Sequence, residues 1–258
     1  MDNEEPLIAE SVQVAPAGGE ARHHMYRRIK PSIDMAMALV LLILTGPVMI
    51  AAMFLVRLTS RGPALYRQRR LGLRGKVFTI YKIRTMYEDS ETHSGPTWSR
   101  PGDPRITPIG KVLRFTHIDE LPQLVNVLQG EMSLVGPRPE RPEFLPKLER
   151  ALPDYRRRLT VLPGVTGLAQ VQQAPDTGLD SVRSKLNYDL CYVDGMSVWL
   201  DLRVIVATAL KCAGVPFAWI RRLLWLPDPN KRVESDFGIC QSHLSRSAFV
   251  AETNVRPL

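Results

Sequence analysis

The hydrophobic pattern is dominated by one apolar run, Met35 to Val56, 22 residues without a charge. That length crosses a hydrocarbon core of ~30 Å as a straight helix. Gly46 and Pro47 stand at its centre, however, and a proline removes an i→i−4 bond and kinks or breaks a helix. Both flanks are basic, with Arg27, Arg28 and Lys30 before the run and Arg57, Arg61 and Arg67 after it. Positive charge marks the cytoplasmic side of a membrane. A helix–break–helix that enters and leaves by the same face is therefore a simpler expectation than a single span. Asp34 at the entry calls for a Lys or Arg partner, since a lone carboxylate in lipid costs ~2.5–3.5 kcal/mol on insertion scales.

Past this run the periods shorten. Ala64–Tyr66 and Val77–Tyr81 are candidate strands separated by glycine turns at Gly72 and Gly75. Ile109–Phe115 reads as a short helix. Leu121, Leu124, Val125 and Leu128 recur at i, i+3, i+4 and i+7, which predicts a helix buried on that face, with Pro122 in its first turn. Met132–Val135 reads as a buried strand, Leu145–Leu159 as a helix and Leu168–Val171 as a short strand. Ser181–Val193 and Val198–Lys211 read as helices. Pro216–Trp225 mixes Trp, Leu and Arg in the manner of a segment lying in a membrane interface.

Between these elements, residues 88–104 form a polar loop that contains His93, and the last 30 residues show no period. The expected organisation is a mobile tail (1–24), a basic flank with a re-entrant membrane helix (25–58), a small catalytic domain (59–211) and an interfacial segment with a loose tail (212–258). The fold class is α/β (α+β), membrane-associated. No signal-peptide pattern, internal repeat or nucleotide-binding glycine fingerprint is visible.

Charge sharpens this picture. The chain of 258 residues carries a formal charge of +8, and Arg57 to Arg84 holds nine Lys or Arg and no acid. Such a run suits phosphates, whether of a nucleotide, a nucleic acid or a lipid headgroup. Lys82 and Arg84 sit on alternate residues at its end. Cys191, Cys212 and Cys240 are odd in number and lack metal-ligand spacing, which argues against a disulfide scaffold and fits a reducing cytosol.

The candidate chemistry lies in Thr116–Leu124. Asp119 and Glu120 sit at the positive end of the predicted helix, where carboxylates are favoured. Two adjacent acids there could hold a divalent cation, attack an electrophile or cap the helix. Lys111 and Arg114 lead into them. Gly136-Pro137-Arg138-Pro139 follows, and two prolines fix the direction of Arg138, as bidentate gripping of a phosphate requires.

Taken in order, Tyr81-Lys82-Ile83-Arg84-Thr85-Met86, Asp119-Glu120-Leu121-Pro122-Gln123-Leu124, Asn126 through Pro139 and Pro163-Gly164-Val165-Thr166-Gly167 resemble the bacterial sugar transferases. These are the monotopic phosphoglycosyl transferases, or polyprenyl-phosphate glycosyl-1-phosphate transferases, and the likeness is to their small form over residues 27–211. It implies transfer of a sugar 1-phosphate from a nucleotide sugar, commonly a UDP-sugar, to polyprenyl (undecaprenyl) phosphate, with Mg²⁺ required and UMP released. The product would start exopolysaccharide or other surface-glycan assembly at the cytoplasmic face of a bacterial inner membrane. Membrane lipid and downstream glycosyltransferases are the implied partners, and no nucleic acid is.

By the same resemblance Asp119 is the nucleophile and lies at the metal, and Glu120 assists. Lys82, Arg114 and Arg138 are the family cations, and Asp189 and Asp201 are its later acids. Three departures stand out: Pro31 after Lys30, Leu168 where the family has Trp, and Gln172-Gln173-Ala174 in place of a basic donor contact. His117 stands where a small polar residue is more usual. The competing readings are a membrane-anchored module that binds anionic ligands without chemistry, and a degenerate scaffold.

Overall fold

The computed structural model describes residues 20–88, 90, 102–173 and 178–229. The expected tail up to residue 19, most of the 88–104 loop with His93, Ala174, and everything from residue 230, including Cys240, lie outside the described residues.

Helix α1 (Glu20–Thr59) carries the apolar run in 40 residues, with Pro31 and Pro47 both inside it. The helix–break–helix expectation is corrected here: α1 is assigned helical without interruption through Gly46 and Pro47. Pro47 forfeits one backbone bond, and nothing lies within 4 Å of where a Gly46 side chain would project. Residues 20–24, expected in the tail, are also helical.

One face of α1 packs on the domain at both ends of the apolar run. Tyr26, Met37, Ala38 and Leu42 join the main core. Met49, Ala52, Met53 and Val56 join a second cluster with Ile83 and Leu113. Between and opposite these, Leu39, Val40, Ile43, Leu44, Val48, Ile50 and Phe54 are exposed. Among the described residues this is the one helix long and apolar enough to cross a membrane. Burying that outer face in lipid would recover the ~25 cal/mol per Å² it forgoes in water.

Strands β1 (Leu65–Leu71) and β2 (Val77–Ile83) form an antiparallel hairpin with Leu65 opposite Ile83 and Leu71 opposite Val77. Both extend beyond the expected strands. Helix α2 (Pro108–Thr116) is capped by Thr107, whose Oγ1 accepts from the Gly110 amide at 3.0 Å. A 3-10 turn, Ile118–Glu120, leads to α3 (Gln123–Leu128). The face predicted to be buried there is rotated: Leu124 is buried, together with Val127, Gln123 and Asn126. A polar Asn at 0% exposure hid that face from a hydrophobicity pattern. Its side chain explains the burial, accepting from the Tyr81 amide at 3.2 Å and donating to the Thr79 carbonyl at 2.7 Å. In effect it adds one rung to the edge of β2 and fixes α3 against it.

Strand β3 (Ser133–Val135) pairs in parallel with β4 (Gly164–Thr166). Between them lie α4 (Leu145–Ala151) and a 3-10 turn, Tyr155–Thr160. The single helix expected over 145–159 is thus split around Pro153, which cannot continue a helical bond ladder. The expected strand Leu168–Val171 is also corrected. It is helix α5 (Leu168–Gln172), and the strand is the preceding Gly164–Thr166. Four residues are too few for periodicity to separate the two. Helices α6 (Leu179–Gly195), α7 (Val198–Cys212) and α8 (Phe217–Leu224) complete the fold. The result is helix-rich, with two small sheets and one long apolar helix.

Candidate active site

The dyad sits at a sharp corner. His117 caps the C-terminus of α2 in the left-handed region (φ 57°), a conformation costing a non-glycine residue ~1–2 kcal/mol. Its carbonyl accepts from the Glu120 amide at 3.1 Å, so the strained residue closes the turn that carries both acids. Burial depresses the His117 pKa below its ordinary value, keeping the imidazole neutral at neutral pH.

The two acids have opposite environments. Glu120 accepts from Lys82 Nζ at 2.7 Å and from the fork of Arg138, Nη2 at 2.7 Å and Nη1 at 3.3 Å. Burial works to raise its pKa, but Arg138 and Lys82 outweigh it and hold the carboxyl well below the usual range. Asp119 is 7% exposed, and no hydrogen bond from the described residues reaches its carboxylate. Burial, and then the neighbouring Glu120 charge, push its pKa up to about 6 against the pull of Lys82, Arg114 and Arg138. At pH 7–8 Asp119 is therefore ionised, desolvated and free of donors, as a nucleophile or a metal ligand must be.

Arg138 is held with unusual completeness. The carbonyls of four consecutive residues each accept a bond: Pro137 from the Gly164 amide (2.9 Å), Arg138 from Arg158 (2.8 Å), Pro139 from Arg70 (3.0 Å) and Glu140 from the Leu71 amide (2.8 Å). Behind the loop, Gly136 and Gly164 approach so closely that a methyl group on Gly164 would be driven into the Gly136 amide. The two prolines explain only part of this rigidity.

The expected site residues divide into two sets. Asp119, Glu120, Lys82 and Arg138 converge, and Arg114 stands beside them with its Nε on Thr85 Oγ1 at 2.8 Å. The others lie elsewhere. Arg84 bonds the Ser60 carbonyl at 3.0 Å, Ser60 Oγ at 2.8 Å and the Arg61 carbonyl, so its guanidinium ties down the end of α1. Asp189 pairs with Arg158 at 2.7 Å, both buried, and so acts on Arg138 through the loop. Asp201 pairs with Lys30 and accepts from Tyr26 (2.5 Å) and Tyr192 (2.7 Å) at the base of α1. Gly46 and Pro47 lie on the lipid-like stretch of α1.

Three residues escaped the sequence reading: Arg158, Asn126 and Ser133. Each is a polar residue buried in the domain, and no local pattern marks burial of a polar group. Asp34 does find its predicted cation, Lys30 at 3.2 Å, and it also accepts from Ser133 Oγ at 2.5 Å.

The donor set suits Mg²⁺. That ion is bound through one or two carboxylates, with water and substrate phosphate completing its shell. Asp119 supplies one buried, unbonded carboxylate, while Glu120 is already taken up by two cations. Among the described residues no cluster of three His, Cys, Asp or Glu forms a dedicated metal cage.

The sequence has counterparts among known proteins. A family profile described as bacterial sugar transferase matches residues 25–214. Over 184 residues the chain is 41% identical to an Aeromonas hydrophila protein, UDP-N-acetylgalactosamine-undecaprenyl-phosphate N-acetylgalactosaminephosphotransferase, covering 71% of this chain and 43% of the relative. Over 183 residues it is 39% identical to the UDP-glucose:undecaprenyl-phosphate glucose-1-phosphate transferase of Caulobacter vibrioides, covering 69% and 67%. Over 188 residues it is 37% identical to the exopolysaccharide production protein PSS of Rhizobium leguminosarum, covering 71% and 94%. The chain thus spans less than half of the Aeromonas relative and nearly all of the Rhizobium one. With the profile running from the base of α1 to the end of α7, this chain belongs to the bacterial sugar transferase family.

Proposed function

We propose that this protein transfers a sugar 1-phosphate from a nucleotide sugar, a UDP-sugar foremost, to polyprenyl phosphate at the cytoplasmic face of the bacterial inner membrane. The observation that carries the reading is the contrast within the dyad: one carboxylate clamped by two cations, its neighbour buried and unbonded. The three relatives' names, two of which specify UDP-sugar and undecaprenyl phosphate, supply the substrate classes.

In this reading an Asp119 oxygen attacks the phosphorus that bears the sugar. The bond from that phosphorus to the bridging oxygen breaks, and UMP departs with the electron pair. The acyl phosphate left on Asp119 is then attacked at phosphorus by an oxygen of polyprenyl phosphate, and the carboxylate leaves unchanged. Asp119 would hold Mg²⁺, which when bound would supply positive charge against the transferred phosphoryl group. Glu120 orients Lys82 and Arg138 and takes no proton, since those cations keep it ionised. A polyprenyl phosphate is already an anion at neutral pH and needs no general base.

The membrane arrangement follows from α1. Both ends of its apolar run are tied to one domain, through Lys30 and Asp34 at the start and Arg84 at Ser60 and Arg61 at the finish. That supports entry and exit on a single face, the monotopic arrangement, without a break in the helix. The lipid acceptor would present its phosphate at the depth where the domain holds the dyad.

The test is UMP release from a panel of UDP-sugars by purified protein in detergent, with Mg²⁺ and undecaprenyl phosphate. Release that needs the lipid and disappears with EDTA and in Asp119→Asn is the expected result. Turnover by Asp119→Asn equal to wild type would refute the assignment of the nucleophile. A folded wild type that is silent across the panel would favour the scaffold reading.

A further inference from the structure

We infer that Lys211, in the last turn of α7, is a further contact for substrate phosphate, one that none of the motifs above includes. The inference rests on the proposed reaction.

Several basic residues near the dyad or its supports are already committed. Lys82 and Arg138 are both bound to Glu120. Arg84 holds the end of α1, and Arg158 is paired with Asp189. Lys211 is half-buried, and among the described residues no carboxylate pairs with it. Its Nζ donates only to a backbone carbonyl, Gln170 O at 2.6 Å. It nevertheless belongs to the same site. The charge of Arg138 bears on it. The next residue, Cys212, feels the charge of Glu120.

The last turn of α7 is also stitched to the scaffold of the Arg138 loop. Thr208 Oγ1 meets Thr166 Oγ1 at 2.7 Å, and the Thr166 carbonyl accepts from the Gly136 amide at 2.9 Å. Gln170, which holds Nζ, is anchored through its own side-chain amide to the Val165 carbonyl at 3.0 Å. Lys211 is therefore presented by two elements that also frame Arg138.

A partly desolvated ammonium beside other cations is unfavourable in the empty protein. Burial and the Arg138 charge both lower its pKa. The arrival of an anion reverses that balance. The donor diphosphate and the acceptor phosphate each bring negative charge, whereas the cations on Glu120 are already half neutralised. Lys211 needs only to exchange one backbone carbonyl for a phosphate oxygen, which sets an opposite charge against an ammonium that has none beside it.

The experiment compares wild type, Lys211→Met and Lys211→Arg in detergent with Mg²⁺, varying nucleotide sugar and undecaprenyl phosphate in turn. Lys211→Met is expected to raise KM about tenfold for one substrate with kcat little changed, and Lys211→Arg to restore most of it. A rise on the nucleotide-sugar axis assigns Lys211 to the donor diphosphate, and a rise on the lipid axis assigns it to the acceptor phosphate. Unchanged KM for both substrates overturns the inference and leaves the reaction standing. Should wild type turn over no donor, the reaction reading fails first. The thermal shift produced by inorganic pyrophosphate then decides Lys211 alone: a shift lost in Lys211→Met upholds it, and an equal shift in both proteins overturns it.

Discussion

Asp119→Asn should abolish transfer and make the protein more stable. Burial and the Glu120 charge raise the Asp119 pKa from 3.8 to about 6. Between those values the native state holds a proton that the unfolded state has released, so stability falls as pH rises through that window. Below about pH 4 the carboxyl is neutral in both states and the penalty is absent. Above about pH 6 it is complete. A shift of about 2 pKa units, at 1.36 kcal/mol each, corresponds to roughly 3 kcal/mol. Asn keeps the shape and removes the charge, so the variant should recover most of that penalty at pH 8 and almost none at pH 4. For a domain of this size the gain is roughly 6–12 °C in Tm. The assay is thermal unfolding of both proteins in one detergent from pH 4 to 8, followed by circular dichroism. Mg²⁺ should then narrow the gap at pH 8, by stabilising wild type but not the variant. A variant no more stable than wild type at pH 8, or a difference that ignores pH, would refute the assignment of Asp119 as a strained, donor-free carboxylate.

The remaining predictions separate the dyad from its supports. Arg84→Ala should lower Tm, since each hydrogen bond from a charged group contributes ~1.5–3 kcal/mol, while KM for either substrate stays unchanged; a raised KM in steady-state kinetics would return Arg84 to the phosphate site. Asp201→Ala leaves Lys30 partly uncompensated among buried groups and should cost ~3–5 kcal/mol, read as a lower Tm or loss of folded protein on size-exclusion chromatography. Arg138→Lys keeps the charge but loses the fork on Glu120, and kcat/KM should fall by about 10–100-fold with Tm nearly unchanged; wild-type kinetics would show that the second Nη bond is idle. Gly164→Ala forces the Gly136 backbone away from β4 and should lower activity and Tm together.

What the sequence revealed and what it concealed divide along one physical line. The apolar run, the adjacent acids and the proline-flanked Arg138 are local signals, because charge, hydropathy and φ restriction are properties of neighbouring residues. The contacts that the local sequence does not show depend on distant partners. Arg84 looks like one of two phosphate cations on alternate residues until Ser60 and Arg61 are seen to end α1 beside it. Asp201 shares a buried cation with Asp34, which is 167 residues away, and nothing in either segment announces that. The buried face of α3 is not legible in the hydrophobic pattern because Asn126 is buried for the sake of three hydrogen bonds, including one to Glu131 at 2.8 Å. Pro47, by contrast, is a local signal whose consequence is smaller than its chemistry suggests, since 40 residues of helix run through both it and Pro31.

The link between the membrane helix and the chemistry runs through β3. Ser133, its first residue, donates to Asp34 on α1, and the carbonyl of Val135, its last, accepts from Tyr192 at 2.9 Å. The same single hydroxyl proton of Tyr192 is shared with Asp201 at 2.7 Å, and Asp201 holds Lys30 and Tyr26 of the same helix. Arg138 follows Val135 by three residues, and the carbonyls of 137 to 140 are all bonded. The path from the base of α1 to the guanidinium thus runs through β3 and four bonded carbonyls. For a soluble enzyme such stiffness would be a matter of stability alone. In the proposed reaction the acceptor phosphate is fixed in depth by its lipid, and a misplacement of about 1 Å can cost on the order of a hundredfold in rate. The buried polar groups at the base of α1, expensive to desolvate and far from the dyad, would in that proposal have a catalytic reason to exist, by setting the height of Arg138 and Asp119 above a bilayer.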